Sequence, residues 1–274
     1  MIVSCFADHL IAAARYDKIP LPEVCRQLRE LGLEAVDLGI PRKSPADAVA
    51  AFTPFADGGL KCASCYCFAD CGLPDDEYDK YILECIKAAK ELGSPYLMIV
   101  PGSCPDTRDR AKEVPLIAEH LERAAALAAP YGITITFENF SQPIYAFSTP
   151  DEIAAILKAA PSVYYTYDSG NFMLMNFDSK AGLPFAARTR HCHFKDYHIT
   201  SEELPDIPPQ ADGKRLQGAT IGGGDARNDE ITEALHAAGY DGALTVELHR
   251  IRVDFAAVAE SVKWVKALCD RLNG

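Results

Sequence analysis

The sequence predicts a closed (β/α)8 barrel, and three observations carry that prediction. Short apolar runs alternate eight times with longer amphipathic segments, the pattern of parallel strands joined by helical crossovers. The 274 residues fit the length, about 250, typical of eight such units. The first strand runs into CFADHLIAAARYD, which has no glycine, whereas an open doubly wound sheet usually carries a glycine-rich turn there. No linker, repeat or low-complexity tract interrupts the chain, so residues 1–274 read as one domain.

Each element has its own justification. MIVSCF is strand-like. In LPEVCRQLRELG, Leu21, Val24, Cys25, Leu28 and Leu31 recur at helical spacing, and Gly32 is a stop. LEAVDLGI is the second strand. SPADAVAAFTPFADGG opens with a Ser cap and Pro at the first helical position. LKCASCYCF is a strand. The next helix, LPDDEYDKYILECIKAAKELG, has acids in its first turn and lysines late, matching the helix dipole. SPYLMIVPG is a strand, and Asp109 to Tyr131 is a helix with an irregular start near Pro115. GITITFENF is a strand, and STPDEIAAILKAA is a helix signalled by Ser or Thr, then Pro and acids. SVYYTYDSGN is a strand, and the region from Phe177 to Arg190 is a short helix. RHCHFKDYH is the seventh strand. A long polar loop with Pro205, Pro208, Pro209 and a GGG run follows, through Asp225. NDEITEALHAAGY is a helix, GALTVELHR the eighth strand, and Asp254 to Leu272 the last helix.

Composition narrows the function. Hydrophobic residues make up 49% of the chain, enough for a large core, and the formal net charge is −12. So acidic a chain is a poor nucleic-acid binder, because phosphate contacts need clustered Lys and Arg. No apolar run is long enough for a bilayer, and MIVSCFADHL lacks the basic start and long apolar core of a signal peptide. A cytoplasmic protein with its cysteines as thiols is expected. Cys62, Cys65, Cys67 and Cys71 are spaced closely enough for a zinc or iron–sulfur site. However, no second C-x-x-C follows, and ASCYCF has strand character, so a buried strand is the favoured reading, with Cys65 or Cys67 at a pocket edge as a lesser one. GGGDA at 222–226 follows no strand and reads as a flexible loop, not a phosphate cradle.

The chemistry gathers at strand ends. Alternation puts His191, His193 and Lys195 on one face of the seventh strand, and Cys192, Phe194 and Asp196 on the other. Two imidazoles and an ammonium on one face need partners. In a barrel, catalytic groups sit where strands meet the loops that follow them. There the fifth strand offers Glu138, the sixth Asp168, the seventh His193 and the eighth Glu247. Three carboxylates aimed at one volume repel each other unless a cation sits between them. One nitrogen and several oxygens suit a single divalent ion, Mn²⁺, Mg²⁺, Co²⁺ or Zn²⁺. His191 reads as a hydrogen-bonded wall residue, or as a partner behind the ligands.

FENF, YDSGN, HxHxKD and VELHR, in that order, resemble the xylose isomerase-like TIM barrels of the sugar phosphate isomerase/epimerase superfamily, over essentially the whole chain. The resemblance implies metal ligands at Glu138, Asp168, His193 and Glu247, with the two glutamates as the acid/base pair of the epimerase branch. Epimerases of this group often have a His where this chain has Asn171, and an acid soon after the metal-binding His, where this chain has Lys195 and Asp196. These departures fit the broader isomerase/dehydratase branch. The expected substrate is a small carbohydrate or cyclitol. Glu138 and Glu247 lie on non-adjacent strands and can flank it, one removing a proton beside a carbonyl and the other returning it. Asn171, Lys195, His249 and Arg250 are expected to bind substrate oxygens, and His9 to cap the pocket. Lys195 has an equal alternative, an ion pair with Asp196. Tyr66, Phe68, Phe140 and Phe172 are candidates for an apolar wall. The competing functions are an inosose-type dehydratase, an endonuclease IV-like repair enzyme, which the acidity disfavours, and a non-catalytic sugar-binding subunit. A homo-oligomer is compatible with the sequence.

Overall fold

The structure, a computed structural model, describes residues 1–102 and 109–274. Its strands in chain order are β1 (Ile2–Phe6), β2 (Ala35–Gly39), β3 (Lys61–Ala69), β4 (Tyr96–Pro101), β5 (Thr134–Glu138), β6 (Tyr164–Asp168), β7 (Thr189–Phe194), β8 (Tyr197–Thr200), β9 (Arg215–Gly218) and β10 (Ala243–Val246). Eight of them close a parallel barrel in the order β1-β10-β7-β6-β5-β4-β3-β2. The ring shuts where β10 meets β1, Ile2 opposite Ala243 and Cys5 opposite Val246. Between the strands run α1 (Ala7–Asp17), α2 (Leu21–Glu30), α3 (Asp47–Asp57), α4 (Asp75–Glu91), α5 (Arg110–Ala128), α6 (Pro150–Ala159), α7 (Ser169–Leu174) and α8 (Asn228–Ala237), and α9 (Phe255–Asn273) follows the last strand. This is the (β/α)8 barrel the pattern predicts.

Strand alternation sorts the side chains into two environments. Outward-facing Val3, Cys5, Val36, Leu38, Leu97, Ile99, Ile135, Phe137, Tyr165, Tyr167, Cys192, Phe194, Leu244 and Val246 join the apolar core under the helices. Fully burying an aliphatic or Phe side chain there contributes about 1.5–3 kcal/mol. The alternate positions face inward and are polar through the middle of the barrel: Ser4, Asp37, Thr136, Thr166, His191 and Thr245 are all essentially inaccessible. Thr166 Oγ1 donates to Thr136 Oγ1 at 2.9 Å across neighbouring strands. A barrel interior filled with hydrogen-bonding groups must satisfy them internally, which fixes the floor of any site above it.

Helix boundaries follow local chemistry. Thr149 and Glu152 form a reciprocal capping box at the start of α6. Asp254 caps α9 through Ala257 N–H. Asp109 caps α5, and Pro115 is accommodated within that helix.

Several elements differ from the pattern reading. A separate helix, α1, begins directly after β1; ADHLIAAARYD is alanine-rich and favours helix, and it buries Ala7, Leu10 and Ala13. α3 starts at Asp47, and Ser44 accepts the first turn through its carbonyl, not its side chain. Residues Ser179–Arg188 are a 3-10 helix. The polar loop contains a hairpin, β8 with β9, Tyr197 opposite Gly218 and Thr200 opposite Arg215. Four-residue strands are too short to show a period, and the prolines between them dominate the local pattern. The GGGDA segment is tied down: Asp196 accepts from Gly222 N–H at 2.8 Å and Ala226 N–H at 3.0 Å, and Asp225 N–H donates to Tyr197 O at 2.8 Å.

The nine described cysteines are buried; Cys104 lies outside the described residues. Cys65 and Cys67 are part of the core. Among the described residues, Cys62, Cys65, Cys67 and Cys71 do not converge as a metal-binding group.

Candidate metal centre

β5, β6, β7 and β10 are consecutive around the barrel. Register brings Glu138 beside Thr166, Asp168 beside His193, and His193 beside Thr245. Glu247 lies one residue past β10, and its N–H still donates to Phe194 O at 3.0 Å, so the ladder aims its side chain with the others. One donor atom from each of Glu138, Asp168, His193 and Glu247 lies within 4.8 Å of all the rest. Asp168, His193 and Glu138 are buried, and the Glu247 side chain is 20% exposed, which places the opening on its side.

Each side chain is held from behind. Asp168 Oδ1 accepts Asn171 N–H at 2.8 Å, capping α7, and Oδ2 takes Lys195 Nζ. Asn139 clasps the Asp168 backbone, Nδ2 donating to its carbonyl at 2.9 Å and Oδ1 accepting its N–H at 3.1 Å. His193 Nδ1 lies 3.1 Å from Glu138 Oε2 and 3.7 Å from Glu247 Oε2. Its other nitrogen, Nε2, lies 3.1 Å from Asp37 Oδ2. The edge of the Phe6 ring packs on the imidazole at 4.8 Å between centroids.

Lys195 Nζ pairs with Asp168 and sits 2.8 Å from Glu247 Oε2. The alternative ion pair with Asp196 is not formed. Adjacent residues leave the strand on opposite faces, and Asp196 turns outward to the 222–226 loop. One ammonium does not neutralise three crowded carboxylates. Burial pushes Asp168 up to about 7; Lys195 pulls against this, and Glu247 and Glu138 add to it. Burial would lower His193, but hydrogen bonds to Asp37 and Glu138 outweigh it and hold the ring up to about 10. Glu247 Oε2 is buried and makes no well-directed hydrogen bond. Three carboxylate oxygens and one imidazole nitrogen converging on one volume fit a divalent cation.

The five residues expected to touch substrate are placed differently from one another. His9 Nε2 accepts Leu248 N–H at 2.8 Å, so it fixes the backbone beside Glu247. Burial, opposed by Asp8, takes its pKa down to about 4, so it is neutral. Asn171 is buried and donates to Asn139 O at 2.8 Å. His249 is half-buried, with Nδ1 2.7 Å from Tyr197 Oη; burial, then Lys195 and Arg250, bring its pKa to about 4. Arg250 has a left-handed backbone, φ 58°, and reaches Leu216 O at 3.4 Å. Of the aromatics, Tyr66 packs on Phe6 at 5.4 Å and Phe68 is exposed beside it. Phe172 is fully buried against Tyr167 in the core, and Phe140 packs on Tyr145 and Phe147.

Pattern reading overlooked Asp37 and Phe6. Asp37 had a usable signal: an acid inside the otherwise apolar strand AVDLG must find partners when buried. His191, read as a wall residue or partner, does bond Asp37 through Nε2.

With the fold and the cluster described, the chain can be set beside known proteins. A family-level sequence model, the xylose isomerase-like TIM barrel, matches residues 25–268. No curated protein matches the chain by sequence. Among solved structures, the probable 3-DHS dehydratase AsbF of Bacillus anthracis superposes with a TM-score of 0.72 at 15% identity, over 97% of this chain and 98% of that one. A sugar phosphate isomerase/epimerase from Parabacteroides distasonis gives 0.68 at 15% identity, over 97% and 93%. IolI with a bound zinc atom gives 0.67 at 16%, over 100% and 96%. At such identities the likeness is one of fold. Among the described residues no helix is long and apolar enough to cross a membrane.

Proposed function

The chain belongs to the xylose isomerase-like TIM-barrel family, and on that footing we propose that it is a divalent-metal-dependent isomerase or epimerase of a small keto-sugar or cyclitol. The observation that carries this reading is the convergence of Glu138, Asp168, His193 and Glu247 within 4.8 Å at one mouth of the barrel. These four residues would hold the cation, which when bound supplies Lewis-acid polarisation of a substrate carbonyl.

The protein's own groups do the proton work. Glu247 is the most open of the four and is the acid/base group nearest an entering ligand. Glu138 stands opposite, against His193 Nδ1. One carboxylate takes the proton beside the carbonyl, and the other returns it. Lys195, kept charged by Asp168, Glu247 and Glu138 against the cost of burial, lies beside Glu247 and steadies developing negative charge. Lys195, His249 and Arg250 are the proposed direct contacts to substrate oxygens. His9 and Asn171 contribute from behind, through Leu248 and Asp168. Phe6 and Tyr66 give the opening one apolar side, suited to the carbon face of a ring.

A dehydratase on the same residues is the second reading. It is favoured by the Lys195 ammonium 2.8 Å from Glu247, a donor placed to protonate a departing hydroxyl. Incubation with a panel of keto-sugars and inososes in deuterium oxide separates the two. Deuterium incorporation at the carbon next to the carbonyl, with no net loss of water, supports isomerisation or epimerisation. An ultraviolet-absorbing unsaturated product supports elimination. Neither, across metals and panel, counts against both.

A further inference from the structure

We infer that Asp37 is the positioning residue for His193: from across the barrel it holds Nε2, so that Nδ1 is the nitrogen presented to Glu138, Glu247 and the cation. This rests on the metal-site reading above and concerns a residue of the opposite half of the barrel.

Asp37 sits on β2, separated from β7 by β1 and β10, so its bonds to β7 cross the barrel interior. It is 1% exposed. Oδ1 accepts Ser4 Oγ at 2.7 Å and Thr245 Oγ1 at 3.2 Å. Oδ2 meets Nε2 of both His191 and, at 3.1 Å, His193. A carboxylate has about four lone-pair positions, and four donors from β1, β7 and β10 fill them. Such an acceptor cannot rotate without stranding a buried donor. It is a fixed point, and His193 hangs from it.

The ring has one orientation that satisfies both of its nitrogens. A half-turn about Cβ–Cγ would put carbon where Nδ1 meets Glu138 and where Nε2 meets Asp37, losing both contacts at once. The Phe6 ring, 4.8 Å away, and the His191 ring, 5.2 Å away, both pack against the His193 ring. An imidazole whose far N–H is given to a carboxylate is fixed in tautomer and direction, and it is a better metal ligand. Asp37, His191 and His193 also form a three-donor group within 4.8 Å. The Nε2 atoms of both imidazoles are already taken up by Asp37 Oδ2, so the group serves as a brace and not as a second cation site.

The test is a Mn²⁺ titration followed by the electron paramagnetic resonance signal of the free ion, on wild type, Asp37→Asn and Asp168→Asn. Wild type should bind one ion per chain. Asp37→Asn should bind it about ten- to a hundredfold more weakly, with its circular dichroism unchanged. Asp37→Asn binding as tightly as wild type while Asp168→Asn is weakened overturns this inference alone. Wild type binding no ion, or Asp168→Asn binding as wild type does, overturns the metal-site reading and this inference with it. Two tight ions per chain would also overturn the brace. Should Asp37→Asn not fold, long-range ¹H–¹⁵N spectra of Zn²⁺-loaded wild type decide. His193 keeping its proton at Nε2 supports the assignment, and zinc at Nε2 with the proton at Nδ1 refutes it.

Discussion

Gly218 and His249 meet backbone to backbone: a Cβ at Gly218 would fall 2.0 Å from His249 O and 2.6 Å from the Arg250 carbonyl carbon. The β8–β9 hairpin is thus seated on the backbone of the segment that follows Glu247, with the Ile251 Cγ2 methyl 2.3 Å from the same point. Gly218→Ala must push that segment off the hairpin. We expect a loss of about 1–3 kcal/mol, typical of overpacking, and a larger proportional loss of turnover because Glu247 moves with its neighbours. Urea unfolding and assay on the active sugar measure the two. An alanine variant with wild-type stability and rate would dissociate the hairpin from the site.

Lys195 is the cation already inside the cluster, bound to Asp168 and near Glu247. Lys195→Met should cost about 3–5 kcal/mol in chelator-treated protein, because it leaves buried carboxylates without an opposite charge. Saturating Mn²⁺ should restore more stability to this variant than to wild type. Parallel urea curves with EDTA and with Mn²⁺ read the difference, and equal metal responses would contradict it.

A cation that binds only the folded chain raises stability by about 2.7 kcal/mol at a hundredfold excess over Kd. Mn²⁺ should therefore raise the Tm of wild type, EDTA should reverse it, and Asp168→Asn should lose most of the effect. Differential scanning fluorimetry suffices.

Glu247→Gln keeps size and removes the charge. Deuterium exchange into the active sugar should fall about 10²–10⁴-fold while the circular dichroism and urea midpoint stay within the range of metal-free wild type. Wild-type exchange in this variant would remove Glu247 from the acid/base role.

Asp254 caps α9: Ala257 N–H donates to Oδ1 at 2.9 Å, and Arg252 lies beside Oδ2. The Ala257 bond chiefly, helped by Arg252 and opposed by burial, holds this carboxyl below its ordinary range. A folded pKa below the unfolded one contributes stability that is present above the unfolded value, about 4. That contribution is lost as pH falls through the folded pKa. Asp254→Ala should cost about 1 kcal/mol at neutral pH, and the gap to wild type should narrow below about pH 4. Urea midpoints across pH 3–7 test the sign.

That Glu138, Asp168, His193 and Glu247 would meet was legible because each follows a short apolar run, and strand ends on one barrel face are neighbours by construction. The direction of Lys195 was half legible: alternation alone separates it from Asp196, yet its partners lie on β6 and beyond β10. The β8–β9 hairpin was not legible, since its strands are too short for a period.

The amino-acid sequence by itself determined the barrel and the ring of ligand-type side chains at its mouth, because periodicity and strand alternation are local properties. Only the tertiary structure decided what stands behind them. Asp37 and His193 are 156 residues apart, and no local pattern couples them. Closing the barrel buries both, and a buried carboxylate and imidazole must then take the partners that closure supplies.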